Sequence, residues 1–153
     1  MKKLISFLCT ISILLTACSS SSDTDNFKTV NLEQLATTIQ ENTEWPSLAV
    51  LTEDEVFSLL GLPSDLYEDQ YVGIPLADVA GYRLIMIEAK TGKLQEIKKI
   101  LNEYIKLAKQ QILYPTAVDN LDNALELTIG NYYFVIVSQD NDEVKDLIED
   151  AFD

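Results

Sequence analysis

Apolar side chains at Leu32, Leu35, Ala36 and Ile39 recur at helical spacing behind Asn31, a residue type that caps helix N-termini. This predicts a first helix ending near Asn42. Trp45-Pro46 interrupts it, and the short apolar stretch Leu48-Ala49-Val50-Leu51 leads into Thr52-Glu53-Asp54-Glu55. That tetrad has the form of a capping box, so a short helix should run through Leu60 and stop at Gly61 and Pro63. Two strands are expected next, at residues 71–77 and 82–90, with Gly81 in the turn between them. The second carries apolar groups on both faces (Leu84, Ile85, Met86, Ile87), as a strand in mid-sheet would.

The strongest periodicity follows. Leu94, Ile97, Ile100, Leu101, Tyr104, Ile105 and Ala108 fall in one stripe, which predicts a long helix from Lys93 to about Ile112. Tyr114-Pro115 ends it, and the polar run Asp119-Asn120-Leu121-Asp122-Asn123 reads as a loop or turn. Beyond it, Ala124–Ile129 and Tyr132–Val137 form two strands joined by the two-residue turn Gly130-Asn131. Pairing Ile129 with Tyr132 sets Leu127 opposite Phe134 and Leu125 opposite Ile136, so one side of this hairpin is continuously apolar. A final helix from about Asp142 to Phe152 supplies Val144, Leu147, Ile148, Ala151 and Phe152 as its cover. The order β-β-α-β-β-α, behind a helical N-terminal segment, predicts an α+β fold: a two-layer sandwich with an antiparallel four-stranded sheet and helices on one face.

The opening residues do not fit that domain. Lys2 and Lys3 precede an uncharged run from Leu4 to Leu15, the basic and apolar regions of an export signal, too short for the roughly 20 residues that span a bilayer. Leu15-Thr16-Ala17-Cys18 then resembles the lipobox of bacterial lipoproteins, in which a large apolar and two small residues lead the peptidase to a cysteine. The resemblance implies cleavage before Cys18 and a diacylglyceryl thioether, with palmitate-type acyl chains, on its sulfur. The alternative is an ordinary secretory signal with Cys18 merely near the cleavage point. Ser19 to Asn26 is polar and of low complexity, as a tether is; such a chain holds its cargo roughly 15–20 Å from its anchor. The expected organisation is a signal peptide at 1–17, a flexible tether at 18–29 and one globular domain at 30–153. The expected location is the extracytoplasmic face of the cell membrane, with that lipid as the membrane link and no other cofactor.

Charge narrows the partners. Of 11 basic residues, Lys2 and Lys3 lie in the signal, whereas all 25 acidic ones follow it, which disfavours nucleic acid. The only cysteines are Cys9 and Cys18, so an exported domain would have no disulfide. No histidine occurs anywhere, which removes Ser-His and Cys-His nucleophilic chemistry and the common zinc sites.

The C-terminal half also resembles a family of small lipoproteins, mostly of Gram-positive bacteria, known as domain of unknown function 4358. The likeness rests on the Lys-rich helix, Tyr114-Pro115, the Leu121 to Ala124 stretch, Gly130-Asn131-Tyr132, the strand ending at Ser138 and the acidic helix ending in Phe152. It spans residues 30–153 together with the lipobox. It implies a location and an architecture, and no catalytic residues.

Three kinds of site remain conceivable. Asp65, Glu68 and Asp69 cluster outside a helix cap, where paired carboxylates would suit glycan hydrolysis, although clusters arise by chance in so acidic a chain. Asp140-Asn141-Asp142-Glu143 lacks the calcium-loop pattern, with Val144 and Lys145 where an oxygen ligand and glycine belong, and reads as a helix cap. Binding surfaces are the third kind. Lys98, Lys99, Lys106 and Lys109 project away from the apolar stripe as a basic ridge that would suit anionic headgroups, or a solvated face partnered by Glu96 and Glu103. Tyr133, Val135 and Val137, with Ile85 and Ile87, would line an open sheet face and a partner surface, unless the N-terminal helices cover it. The reading is a non-catalytic binding or accessory module for a protein, peptide or envelope component; the alternative is a carboxylate-type hydrolase of wall glycan.

Overall fold

A computed structural model describes residues 28–77 and 80–153. Five helices flank a sheet: α1 (Leu32–Asn42), α2 (Glu53–Leu60), α3 (Leu94–Gln111), α4 (Pro115–Asp122) and α5 (Asn141–Phe152). The strands are β1 (Leu48–Val50), β2 (Tyr67–Pro75), β3 (Arg83–Ala89), β4 (Leu125–Ile129) and β5 (Tyr132–Val137). All neighbouring pairs are antiparallel, in the order β1-β2-β3-β5-β4. The mixed α and β character and the antiparallel sheet are as expected; the strand count is not. Leu48–Val50, read as a mere apolar stretch, pairs with Gly73 to Pro75 and adds a fifth strand. Three residues are too few for a period of two to show. Gly73 makes the pairing possible, since a Cβ there would stand 2.9 Å from the Leu48 side chain.

The local signals at the helix starts hold. Asn31 accepts a 2.8 Å hydrogen bond from the Gln34 amide. Thr52 and Glu55 form the complete capping box, and Gly61 closes α2 in the left-handed region at φ 69°. The loop expected at residues 119–123 is instead the end of α4. Pro115 occupies its first turn, where its missing N–H costs nothing, and Ala117 and Leu121 are buried one turn apart. This helix is pinned to the β2–β3 connection: Asn120 Nδ2 donates to Ala80 O at 2.9 Å.

The two-layer expectation is corrected by the alternation within the central strands. Val72, Ile85, Ile87, Tyr133, Val135 and Val137 pack with Val56 and Leu60 of α2, Ile97, Leu101 and Ile105 of α3, and Leu121 of α4. The intervening residues Tyr71, Leu84, Met86, Tyr132, Phe134 and Ile136 pack with α1 and α5 through Leu35, Ile39, Val144 and Ile148. Helices therefore cover both faces, α2, α3 and α4 on one and α1 and α5 on the other. Sequence order misleads here because α3 and α5 both follow hairpins yet lie on opposite faces. The hairpin register is as expected, Leu125↔Ile136 through Ile129↔Tyr132, and Phe152 meets the Tyr132 ring edge-on at 5.0 Å.

Candidate functional site

Burial of both sheet faces removes the surface expected at Tyr133, Val135 and Val137, which are 2%, 1% and 1% exposed. They are core beneath α3, and Ile85 and Ile87 are core with them. The Tyr133 hydroxyl nonetheless reaches the edge of the sheet, where it donates to Glu126 Oε2 at 2.6 Å. Burial pushes this phenol well above its ordinary pKa, with the Glu126 carboxylate as a second cause.

The lysines do not make one free cationic ridge. Lys98 is half-buried, its Nζ 5.3 Å from the Tyr133 ring centroid. Lys109 pairs with Asp122 of α4 at 2.7 Å and Lys106 with Glu103 at 3.4 Å. Lys99 is exposed and forms no ion pair among the described residues.

The acidic candidates resolve into local structure. Asp65 lies in a single helical turn, Ser64–Leu66. Glu68 is the extra residue of a bulge, since Tyr67 pairs with Ala89 and Asp69 with Glu88. Asp140 caps α5 only by position; it is the Asn141 side chain that holds this turn, accepting from the Ser138 amide and hydroxyl at 3.0 Å each. Among the described residues no group of three or more acidic side chains could hold a metal ion, and no helix is long and apolar enough to cross a membrane. Leu15, Thr16, Ala17 and Cys18 lie outside the described residues.

What the sequence reading missed is a groove of about 550 Å³ between α2 and α3. Leu59, Leu60 and Gly61 line it from α2 and its cap, Ile100, Glu103, Tyr104, Leu107, Ala108 and Gln111 from α3, and Ile74 and Ile112 complete the apolar lining. Its volume lies in the range of roughly 300–1,000 Å³ that small ligands and anchoring side chains occupy. The rims are apolar in water: Leu59 is 58% and Leu107 46% exposed. Both leucines fall off the buried stripes of their helices, α2 burying Val56 and Leu60 and α3 burying Ile97, Leu101, Ile105 and Ala108. Surplus leucine outside the stripe was the available signal.

The groove has one buried charge on its wall. Arg83, the only arginine of the chain, shares the α3-facing parity of Ile85 and Ile87 and is 4% exposed. Its Nε donates to the Tyr104 hydroxyl at 2.9 Å and its Nη1 to Tyr82 O at 2.7 Å. The guanidinium is thereby fixed against α3 and orients Tyr104 at the groove.

The architecture is thus an α+β domain with an antiparallel five-stranded sheet between helices, carrying an apolar groove on its α2–α3 side. Its residues 46–138 match the model of the family described as a domain of unknown function, DUF4358, and the chain belongs to that family. The match is narrower than the 30–153 of the resemblance: it holds all five strands, α2, α3, α4 and every groove residue, and leaves out α1 and α5. No curated protein and no solved structure matches the chain significantly.

Proposed function

We propose that this protein is a lipoprotein anchored through Cys18 on the extracytoplasmic face of the membrane, and that its domain is a non-catalytic binding or accessory module. Its partner seat is the α2–α3 groove, and the occupant is an apolar helical segment of an envelope protein or peptide. The observation that carries this reading is the pair of exposed leucines, Leu59 of α2 and Leu107 of α3, that line one mainly apolar trough. Exposed apolar side chains around a groove are what amphipathic helices dock into. The way the chain enters the domain supports the same arrangement. Val30 N donates to the Tyr132 hydroxyl at the start of β5, whereas Arg83 of the groove pairs with Val137 at its far end. Those ends lie roughly 15–20 Å apart at about 3.3 Å per residue. A tether that enters the domain at the first end leaves the groove clear of the point of attachment.

Two measurements test the two halves. Metabolic labelling with an alkyne palmitate should mark the membrane fraction of the wild-type protein and leave Cys18→Ala unlabelled and released; equal labelling of both would overturn the anchoring. Leu59→Glu with Leu107→Glu should keep the circular dichroism of the wild type and lose at least tenfold in affinity for amphipathic helical peptides of the envelope fraction. Unchanged binding by the double variant would overturn the groove as the seat.

A further inference from the structure

The two edges of the sheet are guarded unequally. β1 has three residues and follows Pro46, so it offers little to a pairing strand. β4 has five residues with no proline, lysine, glycine or bulge, and pairs in unbroken register with β5. Among the described residues no strand lies beyond it.

The hairpin fixes which amides face outward. In a two-residue turn the flanking residues, Ile129 and Tyr132, exchange hydrogen bonds, so Leu125, Leu127 and Ile129 turn their backbone groups to β5. Glu126 and Thr128 then turn theirs away from the sheet. The side chains alternate oppositely: Leu125, Leu127 and Ile129 are only half-buried against the α5-side core, leaving an apolar strip along the edge. The one charge that would guard this edge is drawn back over the sheet, since Glu126 is held by the Tyr133 hydroxyl.

We propose that β4 pairs antiparallel with β4 of a second copy of this chain, about a two-fold axis through Leu127. That register sets Leu127 against Leu127 and Leu125 against Ile129, and it covers the half-buried strip on both copies. Glu126 stands opposite Thr128, so the outward amides of these residues bond without opposing the two carboxylates. The neighbouring registers are worse. Centring on Glu126 puts like charges face to face, and centring on Thr128 sets Leu125 against Asn131 of the turn. The dimer joins the two sheets into one and leaves the α2–α3 groove of each copy free.

The test uses the full-length chain in membranes, where no cysteine follows Cys18. Leu127→Cys should give a disulfide-linked species of twice the monomer mass on mild oxidation, because directly opposed residues of a non-hydrogen-bonded antiparallel pair lie about 4.5 Å apart between Cα atoms. Adding Thr128→Glu sets two carboxylates against each other and should abolish the band; adding Thr128→Lys should keep it. No band for a Leu127→Cys protein that resists protease like wild type overturns the proposal. A band indifferent to Thr128→Glu reports collision in the membrane and overturns it equally. Should Leu127→Cys be degraded, amine cross-linking of wild type and the single variant Thr128→Glu probes the same pairing, since Thr128 is exposed: the cross-linked dimer should vanish in the variant, and its persistence refutes the pairing.

Discussion

Tyr133 separates a sheet covered on both faces from a sheet with one face open. Its ring is 2% exposed and its hydroxyl donates a 2.6 Å hydrogen bond to Glu126. Tyr133→Phe keeps the ring and removes a bond to a charged acceptor. Because Glu126 is exposed and regains water, the loss should be about 1–2 kcal/mol. Tyr133→Glu removes the ring, at about 3–5 kcal/mol by analogy with other large-to-small core changes, and sets a second carboxylate beside Glu126 in an apolar layer. The sum rivals the roughly 5–15 kcal/mol that holds a domain folded. Urea titration followed by circular dichroism should therefore show a lowered midpoint with unchanged slope for Tyr133→Phe, and no folded baseline for Tyr133→Glu at neutral pH. A wild-type midpoint for Tyr133→Glu would refute the burial argument. The pH dependence has a definite sign. Burial raises the folded pKa of this phenol above the unfolded value, so the folded state keeps its proton where the unfolded chain, at about pH 10, loses it. The stability tied to that proton is complete below about pH 10 and declines as pH rises further. The alkaline decline should be smaller in Tyr133→Phe.

Other residues give independent checks. The buried Tyr67 hydroxyl finds no hydrogen-bond partner among the described residues, so Tyr67→Phe should stabilise the protein by about 1 kcal/mol and raise the calorimetric Tm by a few degrees; a lowered Tm would contradict it. Thr52→Ala opens the capping box and should cost about 1 kcal/mol in urea unfolding at pH 7. The Thr52 backbone amide, and then its hydroxyl, hold the Glu55 carboxyl below its usual range. That contribution is present above the ordinary carboxylate pKa and lost as pH falls; Thr52→Ala keeps the backbone amide and loses only the hydroxyl's share, so its gap from wild type should narrow in acid without closing. Gly81→Ala would put a Cβ 2.8 Å from Ala117 O at φ 75°, whereas Gly92, at φ 77°, has open space. Gly81→Ala should therefore lower Tm more than Gly92→Ala, and an equal drop would mean that α4 yields freely.

What was legible in the sequence follows from the range of the forces involved. Caps, turns and hairpin register are set within a few residues, so Asn31, Thr52 with Glu55, and Gly130-Asn131 were readable with their partners. α4 was missed because its Asp and Asn residues look like a loop, while the burial of Ala117 and Leu121 that makes it a helix comes from distant packing. β1 was missed because an edge strand of three residues has no period of its own. The side on which α3 and α5 lie is a property of connection handedness and packing, absent from any local pattern, and that single misplacement turned the core residues Tyr133, Val135 and Val137 into a supposed surface. The groove was missed for the complementary reason. Leu59 and Leu107 are ordinary apolar residues until the buried stripes are known, and only then do they stand out as excess.

The most direct test of the central claim is photo-crosslinking in intact cells from a light-activated residue at Leu107 on the groove rim, set against the same residue at Lys99 on the outer face of α3. A covalent adduct from position 107, mapped by mass spectrometry to an apolar helical segment of an envelope protein and missing from position 99, is the predicted result. Adducts of equal yield and identity from both positions, or none from 107 while the protein is folded and anchored, would contradict it.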